Sequence, residues 1–345
     1  MVTARRKDAN ILYQEPLFAQ PLTALGSSFS SRDVTLYNAD VLEMYPVWSS
    51  PTVIISDGAY GLGLFEGDPI DAKGLGAWYE PHIEAWSRFS TPQTTLWFWN
   101  SELGWATIHP ILLKQGWKYV SCHIWDKGIA HAAGNSNTQT LRKFPVVTEV
   151  CVQYVKEAEI HGESLQKWLR KEWERTGIPL YKANQACDVK NAATRKYLTK
   201  DHLWYFPPPE AFEKLVDYAN EHGRVSGKPY FSINGQTSLT GKEWGKLRSK
   251  FTCPIGVTNV WREPALANVE RVKNGSKSVH LNQKPLKLME LIINASSDKG
   301  DMVWEPFGGL CSGAIAAYNL ERHCVSAEIQ RDYFQLAVRR LRNLE

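Results

Sequence analysis

The chain has 345 residues, 43% hydrophobic, 22% charged and 12% aromatic, enough for two domains, or one large domain with an insertion, to bury a core without disulfides or metals. No stretch approaches the roughly 20 apolar residues of a membrane span, and the N-terminal MVTARRKDAN has no apolar signal segment, so a soluble, cytoplasmic protein is expected. The net charge of +4 hides an asymmetry: residues 156–280 hold 21 Lys and Arg against 14 Asp and Glu, and the rest 19 against 22, which makes that one segment the candidate polyanion-binding region.

Residues 1–32 are polar, Ser-rich and aperiodic, and read as an arm with short ordered pieces. Val34–Tyr37 is a short predicted strand. Pro51–Ser56 (PTVIIS) is an unbroken β-branched run of the kind buried in a parallel sheet, and it stops at Asp57-Gly58-Ala59-Tyr60. Tyr79–Phe89 reads as a helix, Thr94–Trp99 as a buried strand, Ile108–Gln115 as a helix and Tyr119–Trp125 as a third strand. Pro145–Val155 reads as a further strand at the edge of a pair. From Lys156 the character changes: charged helical stretches (Glu163–Arg175, Pro209–Glu221) alternate with Pro-, Gly- and Asn-rich loops. The alternating pattern resumes after Val279, with helices at Leu286–Ala295, Ser312–Leu320 and Tyr333–Leu341 and strands at Met302–Trp304 and Cys324–Ile329. Strands alternating with helices indicate an α/β sheet built from both chain ends, with the basic segment inserted.

The six cysteines form no CxxC pair and no zinc spacing with a histidine; reduced, mostly buried thiols are expected and no metal. Two strand ends carry chemistry, because open parallel sheets bind ligands at the carboxyl ends of their strands. One is Trp304-Glu305-Pro306-Phe307-Gly308-Gly309, a strand running into a glycine-rich turn and a helix; the next strand ends at Glu328, where a carboxylate can accept from ribose hydroxyls. The other is Asp57–Tyr60, where a carboxylate and a ring three residues apart can hydrogen-bond an amino group and stack on its ring.

Taken together, residues 34–155 and 279–345 resemble the β-class amino-methyltransferases of DNA. Asp57-Gly58-Ala59-Tyr60 stands where that family has (D/N/S)-P-P-(Y/F), His280-Leu-Asn-Gln283-Lys284-Pro285-Leu286 where it has H-x-x-Q-K-P-L, and Glu305–Gly313 where it has D-P-F-x-G-S-G-T-T. Asp40 matches a short acidic motif, Glu328 the ribose-binding acid, and His123–Lys127 a late strand lining the base pocket. The resemblance implies a Rossmann-like fold with a mostly parallel seven-stranded sheet and circularly permuted motif order. It divides the chain into an arm (1–32), a catalytic half (33–155), a target-recognition segment (156–279) and a cofactor half (280–345).

The implied activity is transfer of a methyl group from S-adenosylmethionine to the exocyclic amine of a base flipped out of double-stranded DNA. Asp57, Gly58, Ala59 and Tyr60 are then the catalytic loop; Asp40, Lys284, Pro285, Glu305, Phe307, Gly308, Gly309 and Glu328 hold the cofactor. Ser56, Trp97, Trp125 and Lys127 complete the base pocket, and Arg195, Lys196, Lys246, Arg248, Lys250 and Arg262 contact DNA. A restriction endonuclease acting on the same site and a homodimer also come with the resemblance. An acidic first loop residue goes with adenine N6 and a serine with cytosine N4; Asp57 favours adenine, and Ser56 beside it keeps cytosine open. A catalytically inactive, methyltransferase-like DNA-binding module is a further alternative. It draws on the departures from the pattern: Gly58-Ala59 replace two prolines, and Leu310-Cys311 replace Ser-Gly in a turn that normally uses a left-handed glycine.

Overall fold

The computed structural model describes residues 27–63, 65, 67–131, 141–266, 271–274, 277–278 and 283–344. The greater part of the expected arm and His280 of the H-x-x-Q-K-P-L match lie outside them. Two compact units are present: the described parts of Pro16–Lys156 and Ser249–Glu345 form one, and Glu157–Arg248 belongs to the other.

The first unit begins with β1 (Ser27–Ser31), β2 (Val34–Asn38), α1 (Val41–Met44), β3 (Val53–Ser56), α2 (Leu75–Phe89), β4 (Thr95–Asn100), α3 (Glu102–Lys114), β5 (Trp117–Asp126) and β6 (Thr148–Lys156). The second unit carries α4 (Leu165–Arg175), α5 (Lys182–Ala186), α6 (Pro209–His222) and α7 (Gly241–Gly245). The chain then completes the first with β7 (Val260–Arg262), α8 (Leu286–Ser296), β8 (Met302–Glu305), α9 (Ser312–Asn319), β9 (His323–Ala327) and α10 (Arg331–Arg342).

Among the described residues the main sheet has nine strands in the order β1-β2-β9-β8-β3-β4-β6-β5-β7. The strands β2, β9, β8, β3 and β4 run parallel, so their carboxyl ends share one edge of the sheet. The expected seven-stranded arrangement is the run from β2 to β5; β1 extends one edge antiparallel and β7 the other in parallel. The late strands β8 and β9 sit between β2 and β3, which is the permuted order in geometric form. The strand expected at Pro145–Val155 is not an edge: β6 lies between β4 and β5, antiparallel to both.

Alternation along the central strands divides the core. Ile54, Leu96 and Phe98 face α2 and α3, while Val53, Ile55, Trp97 and Trp99 face the layer of α8, α9 and α10. With both faces covered, an unbroken apolar run such as Val53-Ile54-Ile55 is stable only in the sheet interior. The helix expected from Tyr79 starts at Leu75 and runs through Pro81.

The second unit closes on its own aromatic core. Trp244 lies between Phe206 and Phe212, with ring centroids 4.5 and 4.4 Å away, and Trp168 and Trp173 are buried beside it. Its boundary departs from the expected segment 156–279: the unit ends at Arg248, and Ser249 onward belongs with the sheet, where β7 pairs with β5.

Candidate active site

Asp57 follows directly on β3. The loop behind it is pinned at Ala59, whose carbonyl accepts from the Tyr79 hydroxyl (3.0 Å) and from Asn100 Nδ2 (2.9 Å). Two lone pairs are thereby filled, so this carbonyl has no further acceptor capacity. Tyr60 is buried, and its hydroxyl lies 3.0 Å from Asp57 Oδ1 and 3.3 Å from Glu149 Oε2.

Lys284 joins these groups. Its side chain is 1% exposed, and its ammonium lies 2.7 Å from Asp57 Oδ1, 3.0 Å from the Tyr60 hydroxyl and 3.3 Å from Glu149 Oε2. Glu149 in turn is paired with Lys127, whose ammonium lies over the Trp125 ring. Burial works against the Lys284 charge, but Asp57 and Glu149 outweigh it, and its pKa is raised above the usual lysine range. Glu149 balances the same way: burial pushes its carboxyl up, and Lys284 and Lys127 bring it below its ordinary value. Burial, with Asp57 and Glu149 adding, raises the Tyr60 hydroxyl well above the usual phenol range. The cluster holds two carboxylates and two ammonium groups, so its charge is balanced, as burial requires.

The second strand end is built differently. Glu305, the last residue of β8, accepts from Gly313 N (2.6 Å) and Ala314 N (3.0 Å) at the start of α9. Burial nevertheless pushes its carboxyl up to about 8. Gly309 takes a left-handed conformation (φ 51°) and its N–H donates to Glu328 Oε2 at 2.8 Å, while Gln330 N donates to Oε1 at 2.7 Å. Burial raises Glu328 to about 7 despite both bonds. The turn that Leu310-Cys311 put in question is intact: Cys311 itself adopts φ 59°, ψ 43° before α9. A non-glycine residue there costs about 1–2 kcal/mol, and Cys311 is fully buried among the core side chains.

One cavity of about 620 Å³ unites these features, lined among others by Asp40, Asp57, Lys284, Phe307, Gly309 and Glu328. Asp40 also caps α1, accepting from Leu42 N. Gly58, Glu305 and Gly308 line the same cavity. Other expected site residues are placed elsewhere. Ser56 is completely buried and outside the lining, and Pro285 is buried as the N-cap of α8. Trp97 donates to Ser296 and borders a separate cavity of about 130 Å³ with His123 and Trp261. Trp125 donates to the Glu263 carbonyl, and it adjoins the cluster through the Lys127 ammonium over its ring and through Trp99, against which it packs edge-on.

Of the expected DNA contacts, Arg195, Lys196, Lys246 and Arg248 are exposed in the second unit, Arg248 lying over the Phe206 ring. Lys250 and Arg262 belong to the sheet unit; Lys250 is held by Asp298 and Asp301, each at 2.7 Å, so its charge is already matched. Sequence reasoning missed Glu149, Tyr79 and Asn100. Glu149 had a signal: a carboxylate beginning the apolar run Val150-Cys-Val152 is out of place unless something positive meets it.

Over residues 52–339 the chain matches the family model for DNA methylases of the N6/N4 type. It is 27% identical over 141 residues to the type II methyltransferase M2.MboI of Moraxella bovis, covering 39% of this chain and 45% of that protein. It is 27% identical over 135 residues to M.BglII of Bacillus subtilis, covering 39% and 34%. The chain thus spans less than half the length of these curated relatives. A solved structure of M1.HpyAVI in complex with SAM superposes with a TM-score of 0.50 at 17% identity, over 89% of this chain and 98% of that one, which is a likeness of fold. With a family match running through the sheet unit and across the inserted unit, the chain belongs to the N6/N4 DNA methylases.

Proposed function

We propose that the protein transfers a methyl group from S-adenosylmethionine to an exocyclic amine of a base in double-stranded DNA, and that the base is adenine, modified at N6. The observation that carries this reading is the shared cavity: Asp57 of the catalytic loop lines the same space as Gly309 and Glu328.

The residues present fit the cofactor. The volume of about 620 Å³ lies in the usual range for small-molecule sites. The buried Glu328 carboxylate is an acceptor for ribose hydroxyls, Gly309 lines the cavity in its left-handed conformation, and Gly308 lets the turn close on β9, where a Cβ would lie 2.6 Å from Ser326 Oγ. Phe307 and Trp78, 5.0 Å apart, supply an aromatic wall. When bound, S-adenosylmethionine supplies an electrophilic methyl group on a sulfonium.

The work left to the protein is to present the amine in line with that methyl and to exclude water. Asp57 Oδ1 is occupied by Lys284 and Tyr60, whereas Oδ2 carries no hydrogen bond among the described residues and is the acceptor for one amine hydrogen. The Ala59 carbonyl is filled, so the second hydrogen goes to the carbonyl of Asp57 or Gly58. Withdrawing both hydrogens from the ring plane localises the nitrogen lone pair. As the amine gains the methyl, the carbon–sulfur bond breaks with its electron pair left on sulfur, and the nitrogen gives up one proton through Asp57 Oδ2 to solvent. The target lies inside a duplex, so the base is flipped at a cost of a few kcal/mol.

Asp57 lines the cavity and Ser56 does not, which supports adenine over cytosine: the carboxylate, not the hydroxyl, is at hand for the amine. The test is to express the protein in a host without DNA methylation, digest the DNA to nucleosides and weigh them. N6-methyladenine is expected. N4-methylcytosine alone would reassign the base, and unmodified DNA would remove the activity.

A further inference from the structure

We infer that Lys284 is a positioning residue for the methyl-acceptor amine: its ammonium fixes the Asp57 carboxylate by Oδ1 so that Oδ2 is presented to the substrate. This rests on the reading of Asp57 given above and changes the role expected for Lys284 itself, from cofactor ligand to partner of the catalytic loop.

An ammonium has three donors, and among the described residues three acceptors lie within its reach: Asp57 Oδ1, the Tyr60 hydroxyl and Glu149 Oε2 at 2.7, 3.0 and 3.3 Å. They come from two elements distant in sequence, the loop after β3 and the strand β6, while Lys284 itself precedes Pro285, the N-cap of α8. The ammonium also sits over the Tyr60 and Trp99 rings, 5.1 and 5.6 Å from their centroids. A charge so enclosed by acceptors and aromatic faces has little freedom, and that immobility passes to Asp57. A carboxylate on a short side chain otherwise rotates about two torsions, and a misplacement of an ångström at the reacting atoms costs on the order of 100-fold in rate.

Removing the lysine also unbalances the buried charge, so a single variant would mix positioning with stability. Three variants separate them: Lys284→Met; Lys284→Met with Glu149→Gln, which restores the balance; and Lys284→Ala assayed with added propylammonium. Each is measured for S-adenosylmethionine affinity by calorimetry, duplex affinity and single-turnover methyl transfer, beside the unaltered protein. The transfer rate is expected to fall about 100-fold in both Met variants, with both affinities held within about threefold. Propylammonium is expected to raise the Ala variant's rate about tenfold and to leave an Asp57→Ala control unchanged. Recovery of the full rate in the double variant, or cofactor affinity lost in step with rate, would overturn the inference. Absence of methyl transfer by the unaltered protein refutes the proposed activity instead, so the two failures are distinguishable.

Discussion

Phe307 packs onto Gly58 so closely that a Cβ at position 58 would lie 2.8 Å from two of its ring carbons and 2.9 Å from the Tyr79 hydroxyl. The loop after β3 and the glycine-rich turn, some 250 residues apart in sequence, are thus fitted to one another. The pair Gly58-Ala59 is part of that fit: the first position has no room for a side chain, and the second is completely buried.

Gly58→Ala should accordingly displace Phe307 or the loop. A loss of about 1–3 kcal/mol in stability is expected from overpacking, with a larger proportional loss in methyl transfer because both sides of the cavity shift. Denaturant unfolding together with single-turnover rates checks this. A fully active, fully stable Ala variant would mean the ring yields freely.

Asp57→Ala should abolish methyl transfer while S-adenosylmethionine and duplex affinities stay within a few-fold. In the proposed reaction the side chain meets the amine and not the cofactor, so the loss should fall on the chemical step. Near-normal turnover would remove Asp57 from the site.

Glu328 lies at about 7 because burial disfavours its charge. Below that pH the carboxyl is protonated and a poorer acceptor for ribose hydroxyls. Cofactor affinity should therefore rise between pH 6 and 8. Glu328→Gln should weaken binding by about 1–3 kcal/mol at pH 8 and remove that slope. Calorimetry at the two pH values decides it.

Glu305 leads to a stability effect of the opposite slope. Its folded-state value of about 8 exceeds its ordinary value of 4.5, so the folded protein retains a proton that the unfolded chain has released. Stability should then fall as pH rises between about 4.5 and 8, by at most about 1.4 kcal/mol per unit, and level off above. Glu305→Gln should flatten this dependence in urea titrations at pH 5.5 and 8.5.

For DNA binding, replacing Arg195, Lys196 and Lys246 together should lower the salt slope by up to about three, if each neutralises a phosphate. Lys250→Gln should leave the slope unchanged and lower stability instead, because Asp298 and Asp301 already hold that charge. Fluorescence anisotropy across a salt series measures the slopes.

Local sequence determined a good deal. The β-branched run Val53–Ile55, the glycine turn after Glu305 and the amphipathic stretch Leu286–Ala295 are set by side-chain period and backbone preference over a few residues, and each is found where the pattern puts it. Motif order placed Asp57 and Glu328 at strand ends, and one sheet made from both chain ends brought them to one cavity. What only the tertiary structure decided concerns partners distant along the chain. Trp97 read as a pocket residue, yet the pleat of β4 turns it toward Ser296, because alternate side chains face opposite layers and the sequence does not mark which layer holds the substrate. Lys250 read as a DNA contact, and only the fold shows Asp298 and Asp301 paired with it. Lys284 read as a cofactor residue, and it does line that cavity, but only the fold sets Asp57 and Glu149 beside its ammonium. A charge declares its sign in the sequence; whether it is matched, and by what, depends on which strands become neighbours, and only the folded chain fixes that.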